Sequence, residues 1–138
     1  MLVLDLVIGK LIKKGQKAKA EKVLFDCLKT LEKKGEKEPL KAFLEGIEQI
    51  IPLVEIKSKK VGGTVYRIPI EINQKRQLSL GIGWLLESVK SKSQERGSLA
   101  ERLATEILLA KQGQGKTVER VRELHVFAQK NRGLVKFL

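Results

Sequence analysis

The spacing of the apolar residues changes twice along this chain, and those two changes constrain its fold more than any other feature. Up to Ile51 the hydrophobic residues recur at helical spacing, between Val54 and Ile72 they alternate, and from Leu78 the helical spacing returns. Such a pattern predicts a mainly α fold: a single domain over residues 1–138, with about six helices around one core and one projecting β-hairpin over about residues 53–73.

Each expected helix has a face and a stop. Leu4, Val7, Ile8, Leu11 and Ile12 form the first face, which ends near Gly15. Ala20, Val23, Leu24, Cys27, Leu28 and Leu31 form the second and place Cys27 in the core; Gly35 ends that helix. Pro39 suits the first turn of a third helix, with Leu40, Phe43, Leu44, Ile47, Ile50 and Ile51 inward, and Pro52 forbids its continuation. Leu78, Ile82, Leu85, Leu86 and Val89 mark a fourth, followed by a polar loop over residues 91–97. Ser98-Leu99-Ala100-Glu101 matches a capping box for a fifth helix through Leu103, Ile107 and Leu108. After a glycine-containing loop, a last helix uses Val118, Val121, Leu124, His125 and Ala128, and a basic tail runs from Asn131 to Leu138.

In the alternating segment, Val54 and Ile56 share one side while Glu55, Lys57 and Lys59 take the other, and the second strand carries Tyr66, Ile68, Ile70 and Ile72 as its apolar set. Gly62-Gly63 supplies the positive φ of a tight turn, and Pro69 confines its strand to an edge. The ribbon is expected to present one polar face and tip bearing Lys57, Lys59, Lys60 and Arg67, with Lys75 and Arg76 just beyond the second strand. Tyr66 could stack on a base, but its place in the alternation favours a core role. Two strands alone are marginally stable, so the ribbon must lean on the helices or on a partner.

Charge indicates the partner. Among 138 residues, 28 Lys and Arg oppose 16 Asp and Glu, giving a net +12. The excess is concentrated: residues 51–76 and residues 113–138 each hold six cations and two anions. A polyanion is the implied ligand, and these two segments are the candidate contact surfaces. In the second segment they are Lys116, Arg120, Arg122, Lys130, Arg132 and Lys136. The lysines of the first two helices interleave with Glu21, Asp26, Glu32 and Glu36 and read as solvated face; the exceptions are Lys14 and Lys17 around Gly15, where helix-start amides also face outward.

Catalytic chemistry is not indicated. Gly115-Lys116-Thr117 imitates the end of a phosphate loop, but Ala110 stands where its first glycine belongs and the preceding segment reads as helix. Gly81-Ile82-Gly83 lacks a third glycine and follows no strand, so close helix packing is the better reading. One Cys and one His complete neither a disulfide nor a usual zinc site. No catalytic residue, metal ligand or cofactor is expected, and His125 reads as structural or RNA-stacking. No apolar run approaches the roughly 20 residues of a membrane span, and the N-terminus lacks the basic stretch of a secretory leader, so a soluble chain in a reducing compartment is expected.

The stretch PLVEIKSKKVGGTVYRIPIEI over residues 52–72 resembles the signature hairpin of the small-subunit ribosomal protein seven family, bacterial and organellar type. Supporting resemblances are Lys10-Leu11-Ile12 with Gly15-Gln16-Lys17 and Ala20-Glu21, the Trp84-Leu85-Leu86 helix, Arg102-Leu103-Ala104 with Glu106-Ile107, and His125, Ala128, Asn131, Arg132 and Phe137. The resemblance implies a structural component of the small subunit that binds the 3′ major domain of its rRNA and nucleates the head. The implied neighbours are other head proteins, platform protein eleven, exit-site tRNA and the mRNA exit path, with no membrane. By matching position it implies RNA contacts at Lys17, Lys57, Lys59, Lys60, Lys75, Arg76, Lys116, Arg120 and Arg132. The family begins with a basic extended segment, carries lysine where Gln16 stands and arginine where Gly83 stands. With 21 of the 28 cations being Lys, these departures suggest a diverged lineage, an organelle and a mitochondrion before a plastid or a bacterium. From a different class, a basic helical protein that binds or bends DNA would show the same charge pattern.

Overall fold

The computed structural model describes residues 2–12, 14–91 and 97–138. Among these described residues, six α-helices, one two-stranded sheet and a final 3-10 helix follow in the order α1 (Leu2–Leu11), α2 (Lys17–Lys33), α3 (Pro39–Glu48), β1 (Val54–Val61), β2 (Thr64–Glu71), α4 (Gln74–Ser91), α5 (Leu99–Lys111), α6 (Lys116–Lys130) and Arg132–Phe137. The mainly α fold with one hairpin is therefore the observed one; of the polar loop expected over 91–97, residues 92–96 lie outside the described residues. Among the described residues no helix is long and apolar enough to cross a membrane.

The core forms where the expected faces meet. Helix α5 packs on α2 and α3, and α4 joins α1 to α5 and α6. Val7, Leu24, Cys27, Leu31, Phe43, Ile47, Ile82, Leu85, Leu103 and Ile107 share one buried cluster. Leu40, assigned inward by spacing, is instead 46% exposed, because it lies in the first turn of α3, at the rim of that cluster. Burial pushes the Cys27 thiol up from 9.0 to about 12, so it stays protonated and packs as a small apolar group.

The local signals act as chemistry requires. Pro39 opens α3, and the Ser98 hydroxyl accepts a bond from the Glu101 amide at 3.2 Å at the start of α5. The residues before Gly115-Lys116-Thr117 are α5, not a strand, so that tripeptide is a helix–helix junction. Gly81 lets α4 approach the chain leaving α3: a Cβ there would stand 2.6 Å from the Ile50 carbonyl oxygen. At Gly83 it would meet only the flexible end of Lys10, at 3.7 Å. These two glycines, two residues apart, should respond oppositely to alanine. Gly81→Ala is expected to lower stability by about 1–3 kcal/mol through backbone displacement, whereas Gly83→Ala should raise it by about 0.5–1 kcal/mol through helix propensity. Urea midpoints that move the same way for both would refute this account.

The hairpin corrects the expected single polar face. Gly62 and Gly63 have φ of 57° and 84°, the two positive values of a type I′ turn. A two-residue turn fixes the register, with Lys60 opposite Val65, Lys59 opposite Tyr66, Ser58 opposite Arg67, Lys57 opposite Ile68 and Ile56 opposite Pro69. Directly paired residues share a face, so Lys57 and Lys59 lie with Ile68 and Tyr66, while Lys60 and Arg67 lie with Val65 and Ser58. The apolar alternations of the two strands are thus out of phase, and the ribbon carries cations on both faces.

The open tail expected after Asn131 is corrected as well: residues Arg132–Phe137 form a 3-10 helix that packs on β2. Asn131, Leu134 and Phe137 are each half-buried, while Arg132, Gly133, Val135 and Lys136 are exposed, the three-residue period of a 3-10 helix with one face down. Phe137 stacks on Tyr66 with ring centres 5.0 Å apart and planes 16° apart. Tyr66 is accordingly half-buried at an aromatic contact rather than enclosed in the helical core.

Candidate nucleic-acid interface

On the ribbon, Lys57, Lys59 and Lys60 are all exposed, and among the described residues no carboxylate pairs with them. Their division between two faces lets the ribbon meet phosphates on both sides at once, as a blade between RNA segments would. Arg67 is held back: its guanidinium lies over the Phe127 ring of α6, 5.0 Å from the centroid. Thus successive residues of β2 contact different supports, Tyr66 the 3-10 helix and Arg67 α6, and the ribbon is braced from both faces.

Several of the expected contacts already have partners. Arg76 forms a forked ion pair with Glu55, its Nε donating to Oε2 at 3.2 Å and a terminal nitrogen donating to Oε1, which ties the foot of β1 to the start of α4. The hydrogen bond from Arg76 holds the Glu55 carboxyl below the usual carboxylate range. Arg120 lies 4.3 Å over Trp84 and 3.5 Å from a Glu87 oxygen; Arg122 donates to the Gly113 carbonyl at 3.2 Å; Lys17 is 4.0 Å from Glu21. Exposed pairs of this kind are weak, so a phosphate can replace the carboxylate, though less readily than it binds an unpaired lysine.

Lys75, Lys116, Lys130, Arg132 and Lys136 are exposed, with Lys136 5.3 Å above the Phe137 ring. Lys14 is exposed with φ 53°, at the α1–α2 junction shared with Lys17. Two clefts gather these groups near the ribbon. One, of about 470 Å³, lies between its foot, α4 and α6 and is lined by Arg67, Trp84, Arg120 and Phe127 together with Glu55 and Glu123. The other, of about 450 Å³, joins Tyr66 to Lys130, Lys136 and Phe137.

A third grouping escaped the sequence. Lys10 of α1 and Lys90 of α4 line one groove across Gly83, with Glu87 between them. Both lysines lie in stretches of nearly balanced charge, so only the α1–α4 contact reveals the pair. His125 proves structural: its Nε2 accepts a bond from the Leu53 amide at 3.0 Å, securing the chain that enters β1.

These features sit on a chain with clear relatives. It is 36% identical over 127 residues to the small ribosomal subunit protein uS7 of Methylibium petroleiphilum, covering 92% of this chain and 80% of that protein. It is 35% identical over 136 residues to the uS7 of Dehalococcoides mccartyi, covering 99% and 86%. The uS7c of Bigelowiella natans is 33% identical over 135 residues, covering 98% and 85%. Bacterial and plastid-type relatives match about equally, which lends no weight to the organelle, and the mitochondrion in particular, expected from composition: a preference for lysine over arginine marks composition rather than compartment. The model of the ribosomal protein S7p/S5e family matches residues 2–132, nearly the whole length, and the chain belongs to that family.

Proposed function

We propose that the chain is a structural constituent of the small ribosomal subunit, a ribosomal protein rather than an enzyme, that acts as one RNA-binding domain over residues 1–138. It binds the 3′ major domain of small-subunit rRNA and nucleates assembly of the head. The observation that carries this reading is a family match across residues 2–132 in a chain whose hairpin exposes Lys57, Lys59 and Lys60 without carboxylate partners among the described residues. Cations fix register on phosphates, while the rigid helical body matches RNA shape, because base edges in a paired RNA groove are hard to reach.

In this reading the body sits on a junction of rRNA helices, other head proteins and platform protein eleven are its neighbours, and the ribbon extends toward exit-site tRNA and the mRNA exit path. Hydroxyl-radical footprinting on small-subunit rRNA is expected to protect the 3′ major domain at salt that abolishes binding to random DNA duplex. Protection confined to another domain, or duplex DNA bound as tightly at matched salt, would overturn it, the second outcome in favour of the DNA-binding alternative.

A further inference from the structure

The cleft between β2 and the C-terminal 3-10 helix has a composition unlike the others. Its lining holds the Tyr66 and Phe137 rings, Lys130 and Lys136, and no carboxylate. Lys59 stands directly across the ribbon from Tyr66 on the same face, and it is exposed. The aromatic pair is only half-buried, so ring surface remains accessible beside cations that have no acid within the cleft. The neighbouring cleft at Trp84 differs in this respect, because Glu55 and Glu123 share its walls.

We propose that this cleft receives a single-stranded RNA segment, with an unpaired base stacked on the Tyr66–Phe137 pair and the flanking phosphates held by Lys59, Lys130 and Lys136. The inference rests on the RNA-binding function above and narrows it to unpaired RNA at one place. In a duplex both faces of each base are covered by neighbours, so only an unstacked base can reach a protein ring. Lys136 now covers part of the Phe137 ring. An exposed lysine–ring contact is weaker than base stacking, so a base displaces the ammonium and frees it for phosphate. An acidic peptide would satisfy the lysines and leave the rings unused.

The test compares a short labelled oligouridylate with an RNA duplex of equal phosphate number, by fluorescence anisotropy on the full chain. Tyr66→Leu is expected to weaken oligouridylate binding by about 5- to 100-fold, with duplex binding changed by less than about two-fold, and Tyr66→Phe should retain both. Equal losses for strand and duplex, no loss in Tyr66→Leu, equal losses in Tyr66→Phe and Tyr66→Leu, or an acidic peptide bound more tightly would each overturn the proposal. Photocrosslinking of a thiouridine-containing oligomer to the unaltered chain covers the case in which Tyr66→Leu unfolds. Adducts on Tyr66 or Phe137 support the proposal, and adducts only elsewhere overturn it. Failure of the unaltered chain to bind oligouridylate while its 3′ domain footprint persists removes the cleft alone, whereas absence of that footprint removes the broader reading.

Discussion

Replacing Lys57, Lys59, Lys60 and Lys75 with glutamine together is expected to weaken rRNA binding by on the order of 10²–10³-fold at physiological salt. The same variant should flatten the slope of log affinity against log salt by about three. All four are exposed, and among the described residues no ion pair engages them, so each is available to a phosphate. Every phosphate so neutralised releases condensed counterions, and each lost contact removes about 0.7–0.9 from the slope. Because these side chains support no packing, thermal unfolding should stay unchanged. Arg76→Gln provides the contrast: it gives up an arginine already committed to Glu55, so it should change the salt slope less while loosening the foot of the ribbon. A salt slope unaltered in the fourfold variant would refute the assignment of the hairpin as the main electrostatic contact.

Phe43→Ala is expected to have the opposite profile, lowering stability by about 3–5 kcal/mol with little effect on RNA affinity measured in the cold. Phe43 is fully buried on α3, the helix that packs on both α2 and α5. Truncation leaves a cavity that helices on all sides cannot close, because interiors are packed at crystal-like density. For a chain of this size the loss corresponds to a fall in melting temperature of about 10–20 °C, a large part of a typical total stability of about 5–15 kcal/mol. A fall in rRNA affinity with no fall in melting temperature would show that Phe43 serves the interface instead.

The elements were legible because their signals are local. Apolar spacing along Val7, Leu11, Leu24, Cys27, Leu31, Ile82, Leu85 and Leu86 identified buried faces, since a helix must hide its stripe whatever it packs against. Pro39, Ser98 and Gly62-Gly63 marked starts and a turn through their own backbone chemistry. Concentrated charge named the ribbon and the last segment as candidate contacts, and the order of residues over 52–72 carried the family resemblance.

What only the tertiary structure decided is how those elements share surfaces. Alternation within each strand was visible, but which face meets which across the ribbon depends on pairing through a two-residue turn, and that placed lysines on both sides. The tail after Asn131 is too short for its apolar spacing to announce a helix; Leu134 and Phe137 acquire a common face only because Tyr66 and β2 offer a surface to cover. Whether a cation is available is equally non-local. Lys59 and Arg76 look alike in sequence, yet Glu55, twenty-one residues before Arg76, occupies one and leaves the other open. The sequence by itself determined the helices, the hairpin and the chain's own excess of positive charge, because propensity, period and net charge are properties of neighbouring residues. Packing decided the blade-like ribbon, its two braces and the aromatic cleft, because each requires side chains distant along the chain to meet in space.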